Sequence, residues 1–287
     1  MTLAGAPRVI AVGDNCLDVY LTKGRMAVGG NALNVAAGWA ARGLDARYFG
    51  AVGQDREADV VLNAVAGAGL APEDVERKTR STAVTLLLER DGDRRFLLED
   101  LGAGQDYVPD AARYDQLADA DWIHLGTHTN PELVQQLVRD SRAFSVDVST
   151  AHDTLPLEGV PLVFASGPEE ADSDVEPIFA KFRERGALRT VVTCGRRGAF
   201  FDDGAAIWFI PAQEVRVVDT CGAGDSFIAA FIHAYLLSGI PAMPALATAT
   251  EAAAHTCTHE GGFPQTLITI PAWLLEKYAD VIACAEN

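Results

Sequence analysis

Six short apolar runs punctuate the chain: RVIAVG, ARYFGAVG, DWIHLGTH, AFSVDVS, PLVFASG and RTVVTCG. Between several of them lie stretches whose apolar residues recur at helical spacing, NALNVAAGWAARG, PELVQQLVRDS and DVEPIFAKFRERG. Strands apolar along both faces must be covered on both faces, which a chain achieves by laying them parallel and crossing over through helices. The alternation therefore predicts an α/β fold, a doubly wound, mostly parallel sheet. In such sheets ligands lie beyond the carboxyl ends of the strands. The residues that follow each run are accordingly the candidates for function.

Two segments break the rhythm. LDVYLTKGRMAVGG alternates as a hairpin does, and STAVTLLLERDGDRRFLLEDLGA reads as two strands joined by the turn DGD. These strands, from about 16–28 and 81–101, are expected to form a small β lid on a single domain spanning 1–287. No repeat, low-complexity tract or Pro- or Ser-rich linker divides the chain.

At 287 residues and 49% hydrophobic, the chain has enough apolar material for one large core. Its net charge of -17 disfavours attachment to nucleic acid or an anionic membrane. An anionic ligand must therefore be held by a local device. No apolar stretch approaches the ~20 residues that span a bilayer, and the N-terminus lacks the basic start and cleavage site of a signal peptide, so a cytoplasmic location is expected. The five cysteines are scattered, without a C-x-x-C pair, and read as reduced thiols.

The local device is DTCGAGD, Asp219 to Asp225, set between the β-branched run VRVV and the helical run SFIAAFIHAYLL. A strand feeding a glycine turn that opens a helix presents unpaired N–H groups at the positive end of the helix dipole, an anion trap. Gly222, Ala223 and Gly224 let a phosphoryl group approach the main chain. Asp225 could simply cap the helix. Beside an anion trap, however, a carboxylate repels its neighbour unless it has a proton to collect, which is the work of a general base. G-x-x-x-x-G-K-[ST] is absent, so the Walker A reading falls away, and without G-x-G-x-x-G after the first strand a dinucleotide-binding reading is weakened.

DTCGAGDSF resembles the signature of the ribokinase family, also called PfkB-type carbohydrate kinases. VGGNALNVA, with its glycine turn and helix start from Gly29 to Ala36, resembles that family's sugar-binding signature. There Asn31 and Asn34 stand at i, i+3 spacing, and amides that donate and accept suit vicinal hydroxyls. The resemblance runs from Gly13 to about Gly262 and implies a ribokinase-like fold and ATP-dependent phosphorylation of a sugar hydroxyl. Asp225 would be the base, with Gly222, Ala223 and Gly224 as the cradle. Asp14, Asn15, Asp18, Gly29, Gly30, Asn31 and Asn34 would bind substrate; Asp18 matches best, and Asp14 could equally cap a turn. In VVTCGRRG, Thr193, Gly195 and Gly198 would bind the nucleotide together with Thr220, and Arg196 or Arg197 could offset its charge. Mg²⁺ would be organised by Glu169 through water, although Ser166 replaces the asparagine of the family's N-x-x-E pattern. Glu170 is a possible stand-in.

The same resemblance places EAAAHTCTHEGGF near adenine and, in some members, a monovalent cation near Asp219. The pairs His124 with His128 and His255 with His259 are four residues apart but lack a third ligand in pattern, and are read as structural. Within the family, GDNCLDVY, GGNALNVA and FASGPEEAD look most like the fructoselysine 6-kinase group, and Glu99, Asp100 and Asp106 could meet the amine of a fructosamine. Fructokinase or ribokinase activity is the alternative, as is a non-catalytic nucleotide- or sugar-binding sensor; a nicotinamide-dependent oxidoreductase is remote. A homodimer through the lid is expected.

Overall fold

The computed structural model describes residues 5–90 and 93–285. The six apolar runs form six consecutive parallel strands. Across the sheet they are ordered Asp45–Phe49, Arg8–Val12, Trp122–Leu125, Phe144–Asp147, Leu162–Ser166 and Thr190–Thr193. Two antiparallel strands, Ala199–Asp202 and Ile207–Ile210, complete the far edge. Successive residues of a strand face opposite ways. Val9 and Ala11 accordingly enter one core with Trp39, Phe164 and Phe231, while Ile10 and Val12 enter a second core with Leu133, Ala165 and Phe182. The sheet is covered on both faces, as a doubly wound α/β fold requires.

Arg8–Val12 lies between Asp45–Phe49 on one side and Trp122–Leu125 on the other. The chain order thus reverses at this strand, and a crevice opens beyond its carboxyl end. Two helices converge there. Asn31–Ala41 follows the first hairpin, and Ala223–Phe231 follows the DTCGAG turn before passing into a π-helical segment, Ile232–Leu237. They touch closely: a Cβ on Gly38 would stand 2.9 Å from the Cβ of Ala229, and the Trp39 indole N–H donates to the Ala229 carbonyl at 3.1 Å.

VRVV does not form the expected strand. The sheet edge is already occupied by Ile207–Ile210, and the segment has no strand beside it to complete a ladder. Val217 and Val218 are exposed, and the Val218 N–H donates instead to the Cys257 carbonyl at 2.8 Å. Only the glycine turn and the helix remain of the expected strand, turn and helix.

A second sheet of five strands stands over the crevice, ordered Ile268–Thr269, Arg25–Gly29, Cys16–Tyr20, Val84–Arg90 and Asp93–Asp100. Four of these fall in the two hairpin segments; the two-residue strand Ile268–Thr269 was too short to be read from its sequence. Asp91 and Gly92 of the DGD turn lie outside the described residues. Leu17, Val19, Met26, Val28, Val84 and Leu86 pack into the main core, while the alternate residues Cys16, Asp18, Thr85 and Leu87 face a cavity. Among the described residues, no helix is long and apolar enough to cross a membrane.

Candidate active site

Asp225 is the third residue of its helix, where a carboxylate faces the positive end of the helix dipole. Gly222 precedes the helix at φ 73°, and a Cβ there would lie 2.2 Å from the Cα of Gly262, so only glycine fits. Gly224 is different. A Cβ on it would meet nothing within 4 Å, so this stretch of main chain is left bare toward open space. The Ala223 N–H donates to the Thr220 carbonyl at 3.3 Å, while first-turn N–H groups that have no partner within their own helix remain available to an anion.

The carboxylate of Asp225 does not cap its helix. Oδ1 accepts from the Asn31 amide at 2.7 Å and Oδ2 accepts from the Asn34 amide at 2.6 Å. Asn31 and Asn34, expected to face a sugar, are 8% and 6% exposed and turn their amides to Asp225. Burial raises the Asp225 carboxyl to about 6, with the Asp14 charge adding to it and both amides opposing it. Asp14 caps the Asn31–Ala41 helix, accepting from the N–H groups of Asn31 at 2.7 Å and Ala32 at 3.2 Å. Burial pushes its carboxyl up as well. The Asn15 amide donates to the Tyr48 hydroxyl at 2.9 Å and the Ala51 carbonyl at 2.8 Å. Gly30 sits at φ 107°, its Cα so close to Asn15 that a Cβ would approach the Asn15 Cα to 2.4 Å.

Two cavities flank the DTCGAG turn. The smaller, about 190 Å³, lies beneath the five-stranded sheet and is lined by Asp14, Asn15, Asp18 and Gly30 of the expected substrate residues. Glu99, Thr127, His128 and the exposed Phe96 also line it, and no lysine or arginine does among the described residues. It is an acidic chamber. Of the three lid acids, only Glu99 reaches it; Asp100 instead accepts from the Ser81 hydroxyl at 2.9 Å and the Gly102 N–H at 3.0 Å, closing a turn. Gly29 does not line it, and a Cβ on Gly29 would collide with the Asp18 carboxylate at 2.8 Å.

The larger cavity, about 960 Å³, gathers Thr193, Gly195 and Gly198 from one side with Thr220, Ala223 and Gly224 from the other. Glu169 and Arg196 stand at its mouth, 3.6 Å apart. Its far wall is the helix Ala242–Thr256, with Thr250 and, from the stretch of small residues expected near adenine, Ala253 and Ala254. The Thr250 hydroxyl is buried there without a hydrogen-bond partner. A buried hydroxyl left unpaired on a cavity wall fits a polar ligand. Ser166 lines the same space, and Glu170 is not on it.

Several site residues escaped the sequence reading. Asp147, the last residue of its strand, accepts from the Asn31 amide at 2.8 Å, and burial together with the Asp225 and Asp14 charges lifts its carboxyl to about 7. Its place at a strand's carboxyl end was the available signal. His124 sits inside a strand and is fully buried, so it has no helical relation to His128, which lines the smaller cavity. The His255 and His259 rings meet edge to face at 5.8 Å, and no group of three or more His, Cys, Asp or Glu side chains able to hold a metal occurs among the described residues.

Fold and site together define a ribokinase-like α/β protein, with a carboxylate and a bare helix start between an acidic chamber and a long cleft. The ribokinase of Arabidopsis thaliana, solved with ribose and ATP, superposes with a TM-score of 0.79 at 20% identity, covering 91% of this chain and 96% of that one. The ribokinase of Thermotoga maritima gives 0.76 at 21% identity, covering 98% and 100%. The chain belongs to the pfkB family of carbohydrate kinases, whose pattern matches residues 8–153 and 158–267. It is 31% identical to the fructoselysine 6-kinase of Escherichia coli (strain K12) over 88% of this chain and 98% of the relative. To the fructosamine kinase FrlD of Bacillus subtilis (strain 168) it is 30% identical over 89% and 93%. It is therefore a carbohydrate kinase, an enzyme that transfers a phosphoryl group to an alcohol.

Proposed function

We propose that this kinase transfers the γ-phosphoryl group of ATP to a hydroxyl of a fructosamine such as fructoselysine. The observation that carries the reading is Asp225, held by two amides on the helix whose first residues, Ala223 and Gly224, line the long cleft and whose preceding turn residue Cys221 lines the acidic chamber. Sugar in the chamber presents its hydroxyl to Asp225, which takes the proton as the oxygen forms its bond to the γ-phosphorus and the bond to the departing ADP oxygen breaks. N–H groups of Gly222 to Asp225 hold the charge that develops on the phosphoryl oxygens. Asp14, Asn15, Asp18 and Gly30 contact the sugar, while Asn31 and Asn34 serve it through the base they hold.

ATP lies in the long cleft against Thr193, Gly195, Gly198 and Thr220, where the unpaired Thr250 hydroxyl and the bare Gly224 main chain fit a polar, anionic ligand. The donor set fits a Mg²⁺ that arrives on the triphosphate better than a metal held by protein ligands alone. Glu169 would hold its water shell, and the ion would offset phosphate charge. A monovalent cation near the Asp219 loop belongs to the same proposal. The five-stranded sheet acts as a lid within one domain, excluding water that would compete as acceptor, and pairs with a second copy in a homodimer.

The fructosamine assignment rests on the acidic chamber, where Glu99 answers a substrate ammonium, and on the two relatives named for such substrates. The test is ADP release with Mg²⁺ across fructoselysine, other fructosamines, fructose and ribose. Fastest turnover with a fructosamine is expected. A preference for fructose or ribose would move the assignment to a fructokinase or ribokinase, and binding without turnover of any acceptor would make the chain a sensor.

A further inference from the structure

A line of buried hydrogen bonds runs from the interior of the main sheet to Asp225, and phosphoryl transfer as described above uses only its last bond, from Asn31. The Trp122 indole N–H donates to the Ser145 hydroxyl at 3.0 Å, and that hydroxyl is 2.9 Å from His124 Nδ1. His124 Nε2 is 3.2 Å from Asn31 Oδ1, and Asn31 Nδ2 reaches both Asp147 at 2.8 Å and Asp225 at 2.7 Å. Ser145 and His124 are fully buried, and Trp122 nearly so.

The two ends fix the direction of every bond between them. An indole N–H can only donate, and an ionised carboxylate can only accept. Asn31 must therefore turn its nitrogen to the two carboxylates and its oxygen to His124. The imidazole then carries its proton on Nε2, leaving Nδ1 to accept from Ser145, whose oxygen accepts from Trp122. Reversing the Asn31 amide would aim its oxygen at two carboxylates, and a second proton on His124 would take away the acceptor of the buried Ser145 hydrogen. Burial agrees with the neutral ring, lowering His124 to about 3. Asp147 is held as an acceptor at both oxygens, since its Oδ1 takes the Ser149 N–H at 2.8 Å.

We propose that His124 is a positioning residue of this kinase, which locks the Asn31 amide in the one orientation that points a donor at Asp225 and so aims the base at the sugar hydroxyl. The inference rests on Asp225 being the base. Among the described residues, Asn31 is the only hydrogen-bonded link between His124 and the reacting atoms, so the role is exerted through Asn31 and not on substrate.

The experiment is steady-state kinetics of the full chain, with ATP and whichever sugar of the panel turns over fastest. His124→Phe keeps a ring in the core and removes the donor to Asn31. It should lower kcat by about ten- to a hundred-fold, the size of effect that a misaimed catalytic group produces, while both KM values stay within about two-fold. His124→Gln offers an amide N–H near the place of Nε2 and should recover most of the lost turnover. Unchanged kcat in His124→Phe, a loss carried by KM, or an equal loss in His124→Gln would overturn the proposal. If His124→Phe has no cooperative melt, Ser145→Ala decides: it frees the imidazole to change tautomer with little change in volume, and is expected to reduce kcat several-fold at constant KM, whereas undiminished kcat refutes the lock. Asp225→Asn is run alongside. If that variant turns over normally, the base assignment itself fails, whatever His124 does; if it binds ATP but is inactive, the His124 result is read on its own.

Discussion

Replacing Asn34 by leucine tests how the base is tuned. Asn34 gives Asp225 one of its two amide donors, at 2.6 Å, and its own Oδ1 is buried without a partner. Leucine puts carbon where both polar atoms stood, leaving little room for a replacement water. A hydrogen bond to a charged group contributes about 1.5–3 kcal/mol, and 1.36 kcal/mol corresponds to one pKa unit, so removing the donor should raise Asp225 by roughly one to two units. Starting from about 6, the group then titrates near 7–8. The sign follows from the chemistry: a general base works only when ionised, so activity rises with pH through its pKa and the acid limb moves to higher pH. At pH 7 the ionised fraction should fall from about nine-tenths to between about half and a tenth. The assay is kcat/KM against pH from 5 to 9, which reports the free enzyme. A limb that stays near pH 6 with activity retained would refute the claim that the amide tunes the base. Stability should suffer little, because the substitution also removes the orphaned Oδ1.

Glu99→Gln should raise KM for fructoselysine by about ten-fold, a charge-assisted contact being lost, and leave KM for fructose unchanged; equal effects on both sugars would remove Glu99 from amine recognition. Thr250→Val deletes the unpaired hydroxyl of the long cleft, and KM for ATP should rise about three- to ten-fold while the melting temperature does not fall. A lower melting temperature with unchanged KM would make that hydroxyl structural. Gly222→Ala places a Cβ against the backbone of Gly262 at a positive φ, costing about 2 kcal/mol or more and lowering the melting temperature by about 4–8 °C; an unaltered melt would show that the turn relaxes freely.

The six parallel strands were legible because strands buried on both faces must be apolar throughout, which leaves continuous runs such as RVIAV and TVVT. VRVV carries the same composition and misled. Strand formation depends on an available edge as well as on β-branched residues, and Ile207–Ile210 had already taken that edge. At the site, Asp225 and the glycine turn were visible as a local motif. The partners of Asp225 were not, since Asn31 and Asn34 lie 194 and 191 residues away and only the contact of two helices at Gly38 and Ala229 unites them. Asp147 was hidden in the same way, and His124 was read only as half of a structural pair with His128. Nothing in WIHL or FSVD announces that both answer to one amide.

The polarity of the Trp122 line also decides where the abstracted proton can travel. A relay toward the interior would require each donor to reverse in turn, and its last member is an indole nitrogen with no lone pair to offer. The line is a dead end for hydrogen ions. On the mechanism proposed above, a proton collected by Asp225 therefore leaves toward the cavities beside the glycine turn and not through the sheet.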